Sequence, residues 1–270
     1  MRTIRKSLAS ILTWVAVLAF FFPVLWMFLN AFKTEQIASS MPPAFVFEPT
    51  IEQFVGAMDR GMADYLVHSL FASITSTLLV LALAFPAAYA LSIRPIKKVQ
   101  DALAFFISTR FMPAAASILP LYMIFKTLGV LDNVNALSLV YAAMNLPIAV
   151  WMMRSFLSEV PLELVEASQI DGASLRTEMT RVVLPIVLPG IAAVALICFI
   201  FSWNEYFLAN LLTSFEAGTT PPFLGSFVDG RGLFLGALSG AATLAALPVI
   251  IAGWLAQKQL VRGLAMGAIK

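Results

Sequence analysis

The chain has 270 residues, 60% of them hydrophobic and 12% charged, with a formal net charge of +2. Soluble domains carry roughly a quarter charged residues, so this composition and a mean hydropathy of +0.90 describe an integral membrane protein. The small charge argues against an electrostatic nucleic-acid binder; a lone Cys198 excludes an internal disulfide and a Cys-based metal site, and a lone His68 removes most zinc chemistry and leaves little room for a catalytic triad.

A membrane span needs about 20 mainly apolar residues. Runs without Asp, Glu, Lys or Arg occur at 7–32, 65–93, 133–153, 182–204 and 232–257, and the stretch 102–125 is interrupted only by Arg110. Six spans are predicted: 10–31, 66–92, 102–126, 134–154, 186–211 and 235–257, in a single all-α membrane domain over 1–270. The first follows the basic start Arg2-Thr3-Ile4-Arg5-Lys6. It is longer than a signal-peptide core of about 7–15 residues and is read as an uncleaved anchor.

The segment 32–65 carries Met41-Pro42-Pro43 and Glu48-Pro49 among acids and phenylalanines. Its prolines argue against one long helix, leaving a short cap or a docking surface for a soluble protein. Arg110 in span three and Asn145 in span four are polar intrusions that lie on a solute path or serve a structural role.

A polar segment then separates spans four and five. Ser158 is a plausible cap and Pro161 suits a first helical turn. Leu162, Val165 and Ile170 approximate one apolar side, with Glu163 and Glu166 on another. Asp171-Gly172 stops the helix, Ser174 starts a second, and Leu184-Pro185 breaks that one at the membrane. Such a helix docks on a protein or lies on lipid headgroups. Its acids Glu159, Glu163, Glu166 and Asp171 favour protein, because an anionic leaflet repels them.

In span five, Trp203, Asn204, Glu205 and Tyr206 are either solute-path residues or an interfacial aromatic belt. At about 1.5 Å per residue, Arg110 and Glu205 sit at depths of roughly 12 and 28 Å, too far apart to pair directly. The segment 212–234 has turn chemistry at Thr219-Thr220-Pro221-Pro222 and Asp229-Gly230-Arg231-Gly232. The tail 262–270 contains Gly263 and Gly267, which suit an extended insert. A cytoplasmic N-terminus places twelve Lys and Arg in inner segments against four in outer ones, so both termini and the segment 155–185 are expected on the cytoplasmic side.

The pattern Glu166-Ala167-Ser168-x-x-Asp171-Gly172-Ala173, with Val182, Leu184 and Pro185, resembles the cytoplasmic "EAA" loop of ABC importer permeases. Ser168 departs from it by standing where the motif has a second alanine. Thr109–Pro113, Leu119–Tyr122, Leu128–Asp132, Phe201–Phe207 and Arg262–Lys270 look like landmarks of MalG-like permease subunits of carbohydrate ABC importers, so the resemblance covers most of the chain. It implies a multi-pass subunit of the bacterial cytoplasmic membrane that imports a carbohydrate, polyol or related glycoside. The implied partners are a homologous second permease, an ATPase dimer and a periplasmic or extracellular binding protein. ATP and Mg belong to the ATPase; no cofactor or metal is expected here, in keeping with the absence of a G-x4-G-K-[ST] loop. By the same resemblance, Glu166, Ala167, Ser168, Asp171, Gly172 and Ala173 meet the ATPase, and Arg262, Gly263, Gly267 and Lys270 reach it from the tail. The alternative is an ion-coupled secondary transporter using Glu205, although the inverted repeats common in such folds are not evident. A membrane assembly factor without transport would not need the full loop pattern.

Overall fold

The computed structural model describes residues 2–94, 97–110, 114–229 and 232–267, with side chains over 10–94, 97–110, 117–228 and 234–259. The elements are α1 (Arg2–Asn30), α2 (Glu35–Ala38), α3 (Glu52–Asp59), α4 (Met62–Ser92), α5 (Val99–Arg110), α6 (Ala114–Leu128), α7 (Val134–Leu157) and α8 (Leu162–Ile170). There follow α9 (Leu175–Thr177), a π-helical segment (Glu178–Val183), α10 (Leu184–Trp203), α11 (Phe207–Leu212) and α12 (Thr220–Gly225). The antiparallel pair β1 (Val228–Asp229) and β2 (Gly232–Leu233) precedes α13 (Leu235–Gly267). The fold is all-helical apart from that two-residue pairing.

Among the described residues, five helices are long and apolar enough to cross a membrane: Ser10–Asn30, Met62–Ser92, Val134–Leu157, Leu175–Trp203 and Leu235–Gln259. The predicted third span, 102–126, falls on α5 and α6, with residues 111–113 outside the description.

The fifth span departs from its predicted 186–211 at both ends. It does not break at Leu184-Pro185, because helix runs unbroken from Leu175 to Trp203. Pro185 lacks an N–H and its ring crowds the carbonyl four residues back. The preceding turn widens into the π segment, with Leu184 N donating to Met179 O, and this admits the ring without ending the helix. The far end comes early, since Asn204 caps α10 and the chain restarts as α11. The tail also differs from its expected extended form: α13 is helical through Gly267. Leu260, Val261, Leu264, Ala265 and Met266 continue the helix, and each glycine opposes it by only about 1 kcal/mol.

The chain divides into two compact units. The first comprises 1–64 and 223–247. Its non-spanning part is not one long helix, as the prolines predicted; α2 and α3 are short. The Glu35 carboxylate accepts from Gly236 N (3.1 Å) and Ala237 N (2.9 Å), capping the start of α13. Gln53 of α3 lies so close to Gly236 and Gly240 that a Cβ at either would meet it at 2.8 Å. Lys33 is buried, with Nζ donating to Asn30 Oδ1 (2.8 Å) and lying 4.1 Å from the Trp26 ring centroid. Burial lowers its pKa below the ordinary lysine value.

The second unit comprises 65–222 and 248–270. Here α7 packs between α5 and α10, and Val80, Ala149, Met153, Leu157, Val183 and Val194 form the centre of its core. At Gly190 α10 meets α7 closely, since a Cβ there would run into the Phe156 ring.

In the same unit α6 ends in a left-handed turn at Gly129, with Val130 N donating to Phe125 O (2.9 Å). Asp132 follows, and its carboxylate accepts four backbone N–H groups, from Ser214, Phe215, Glu216 and Ala217, at 2.7 to 3.1 Å. Gly218 O then bonds the His68 ring and Thr220 N donates to Ser69 Oγ (2.7 Å), so the segment after α11 is held along its length. Burial alone would raise the Asp132 pKa; the four donors more than reverse that and hold it below the ordinary value. Because the folded pKa is depressed, this contribution is complete above the unfolded value of about 3.9 and is lost as pH falls through the folded pKa. Hydrogen exchange of the amides of 214–217 should show protection that collapses in that acid window. The Asp132→Asn variant should show weaker protection without the collapse, and an equal collapse in that variant would refute the assignment.

Candidate functional site

The segment between α7 and α10 is built from local signals. Ser158 ends α7 as its C-cap, one element earlier than its expected role, and Pro161 occupies the N-cap of α8. Gly172 takes φ +79°. Gly172 N donates to Gln169 O (3.0 Å) and Ala173 N to Ser168 O (2.9 Å), the paired bonds of a glycine helix stop. Ser174 Oγ accepts from Thr177 N (3.3 Å) and starts α9 as predicted.

α8 has an inner and an outer side. Val165 and Ser168 are buried, Val165 within the main core, and Ser168 Oγ donates to Val165 O (2.8 Å). Glu163, Glu166, Ala167, Asp171 and Gly172 are exposed, and Ala173 is half-buried. The apolar side predicted from Leu162, Val165 and Ile170 divides: Val165 turns inward, while Leu162 (54%), Leu164 (46%) and Ile170 (86%) remain exposed. Of the expected contact residues, Ser168 is the one that faces the protein's own interior.

Sequence patterning did not reveal what fixes this segment to the bundle. Glu178, fully buried in the π segment, accepts at Oε2 from Arg94 Nη2 (3.1 Å) and from Gln169 Nε2 (3.0 Å). Arg94 is half in solvent. One carboxylate thus ties the end of α4, the end of α8 and the base of α10 together.

The intramembrane residues do not form one cluster. Arg110 lines a cavity of about 510 Å³ with Thr109, Leu121, Val140, Met144 and Leu208. Its Nη1 donates to Met144 O (2.9 Å), next to the carbonyl that Pro147 leaves without a helical donor, and its guanidinium lies 5.2 Å from the Phe201 ring centroid. Asn145 is buried elsewhere, donating to Ser202 Oγ (3.0 Å), which in turn bonds Ser76 Oγ (2.9 Å). Trp203 is buried and stacked on Phe199, and the Asn204 side chain donates to Ile200 O (2.8 Å). Tyr206 is exposed. Glu205 neither pairs with Arg110 nor faces the cavity as a free acid: both its oxygens accept backbone N–H groups, from Phe207, Leu208 and Ala209 at 3.0 Å, and so cap α11. In the tail, Arg262, Gly263 and Gly267 lie on the α13 backbone, and Lys270 lies outside the described residues.

Over residues 81–264 the chain matches the family described as binding-protein-dependent transport system inner membrane component. It is 37% identical to the probable ABC transporter permease protein y4oR of Sinorhizobium fredii, across 100% of this chain and 97% of that one. It is 32% identical to the diacetylchitobiose uptake system permease protein DasC of Streptomyces coelicolor, across 92% of this chain and 91% of that one. Among solved structures, a bacterial ABC transporter involved in the import of the acidic polysaccharide alginate shares the fold, with a TM-score of 0.78 and 19% identity over 96% of this chain and 97% of that one.

Proposed function

The chain belongs to the family of binding-protein-dependent transport system inner membrane components, and we propose that its cargo is a carbohydrate, polyol or related glycoside and that residues 159–185 couple it to ATPase subunits. It is a multi-pass permease subunit of an ABC importer in the inner membrane, a transport component and not an enzyme. The exposed outer side of α8 carries the coupling reading: Glu166 stands there between Leu162 and Ile170, while Val165 and Ser168 are locked into the core. A short helix held this way presents an apolar knob with a charged anchor to a groove on another protein. The excess of Lys and Arg in the inner segments supports six spans with both termini and this knob on the cytoplasmic side. The end of α13 then also points toward the ATPase subunits, and a second permease completes the route.

Similarity to the diacetylchitobiose uptake permease supports the saccharide cargo. A soluble binding protein delivers that solute from outside, and closure of the ATPase dimer moves α8 and, through the base of α10, the spans. The Glu205 carboxylate, engaged by backbone donors, makes a poor proton-coupling site. Vesicles holding the assembled importer should accumulate solute only with ATP. Uptake that ignores ATP and follows a proton gradient would overturn this reading.

A further inference from the structure

Among the described residues Arg110 has no carboxylate partner, and it stands at the middle of the bundle. Its partner Met144 lies roughly 15 Å along α7 from the first residue and roughly 20 Å from the last, at about 1.5 Å per residue. That is mid-bilayer depth, where a charge is costly and is found facing a water-filled path or a partner. The acceptors it meets are neutral, a backbone carbonyl and the face of Phe201. Among the described residues the one salt bridge is Arg94–Glu178, so no carboxylate here answers Arg110. The guanidinium is exposed into a cavity of about 510 Å³, within the roughly 300–1,000 Å³ of small-molecule sites.

Two acids belong to the elements around α11. Glu205 belongs to the cap of α11, whose Leu208 lines the cavity, and Asp132 holds the segment just after that helix. Both carboxylates are occupied by backbone donors. Among the described residues the cavity therefore keeps a positive charge with no carboxylate in its lining, and the planar fork of an arginine suits a carboxylate.

We propose that Arg110 binds a carboxylate on the transported solute, which makes the cargo an acidic saccharide. This rests on the reading of the chain as a carbohydrate importer subunit. A neutral sugar would leave the cavity's charge unanswered during passage, whereas a uronate answers it, with Phe201 and Leu208 receiving the apolar faces of the ring.

The test uses the assembled transporter in nanodiscs, titrated with D-glucuronate and with D-glucose. Glucuronate should bind about tenfold to a hundredfold more tightly, the range of a charge-assisted contact. Arg110→Gln should erase that preference by weakening glucuronate alone, and Arg110→Lys should retain part of it. Equal affinities in the parent transporter, or a preference that survives Arg110→Gln, would overturn the proposal. So would an Arg110→Gln complex that fails to assemble where Arg110→Lys assembles, since the charge would then serve a subunit contact. Binding of neither probe would instead overturn the carbohydrate reading beneath it.

Discussion

Reversing the charge at Glu166 is expected to abolish ATP-driven uptake while leaving the membrane fold intact. Glu166 is exposed on α8 and, among the described residues, has no hydrogen bond or ion pair that holds the helix, whose seating depends on Val165 and Ser168. Lysine is a good helix former and costs α8 little. At an interface, a reversed charge meets its former partner as a like charge, which costs several kcal/mol; each 1.4 kcal/mol is tenfold in affinity. Glu166→Lys should therefore weaken ATPase association by about a hundredfold or more and cut transport in proportion, with no change in the thermal stability of the isolated subunit. Ile170→Asp, on the same exposed side, should act alike by removing an apolar anchor. Co-purification of the ATPase with each variant, alongside uptake, provides the readout. Normal association and uptake in Glu166→Lys would show that the outer side of α8 is not the docking surface.

The contrast between Val165 and Ile170 shows where sequence reasoning reached its limit. The five long apolar helices were legible because charge is absent over long runs, and the stop at Gly172 was legible because few residues accept φ +79°. The inward side of α8 was not. Leu162, Leu164, Val165 and Ile170 surround so short a helix almost completely, and tertiary packing alone selects Val165. Hydropathy likewise ran past the end of α10, because the break at Asn204 is made by hydrogen bonds that an averaged window does not register. Pro185 misled in the other direction: proline forbids one bond, and a widened turn absorbed the loss. Among the candidate solute residues, Asn145 and Glu205 bond groups of the protein itself, and only the three-dimensional arrangement separates them from Arg110.

The Arg94–Glu178 pair was beyond sequence altogether, since its members stand 84 positions apart, and it supports the second large effect. Removing one member of a buried pair costs about 3–5 kcal/mol because the survivor is left uncompensated, whereas replacing both by apolar groups is often neutral. Arg94 is half in water, so solvent already screens part of the attraction and the cost of losing it falls to about 1–2 kcal/mol. Glu178 would then keep only the Gln169 amide, with Oε1 already lacking a partner among the described residues. Arg94→Ala should accordingly loosen the joint between α4, α8 and the π segment, speed proteolysis within 159–178 by about fivefold to thirtyfold, and lower the solute moved per ATP. Arg94→Ala combined with Glu178→Leu should regain most of the protection, because the stranded charge is gone. It should not regain the coupling, because an apolar contact lacks the directional tie from α4 to the base of α10. If the single and double variants are cleaved equally fast, the buried carboxylate is not what makes the single change costly; if the double variant also transports normally, the pair stabilises the joint without transmitting through it.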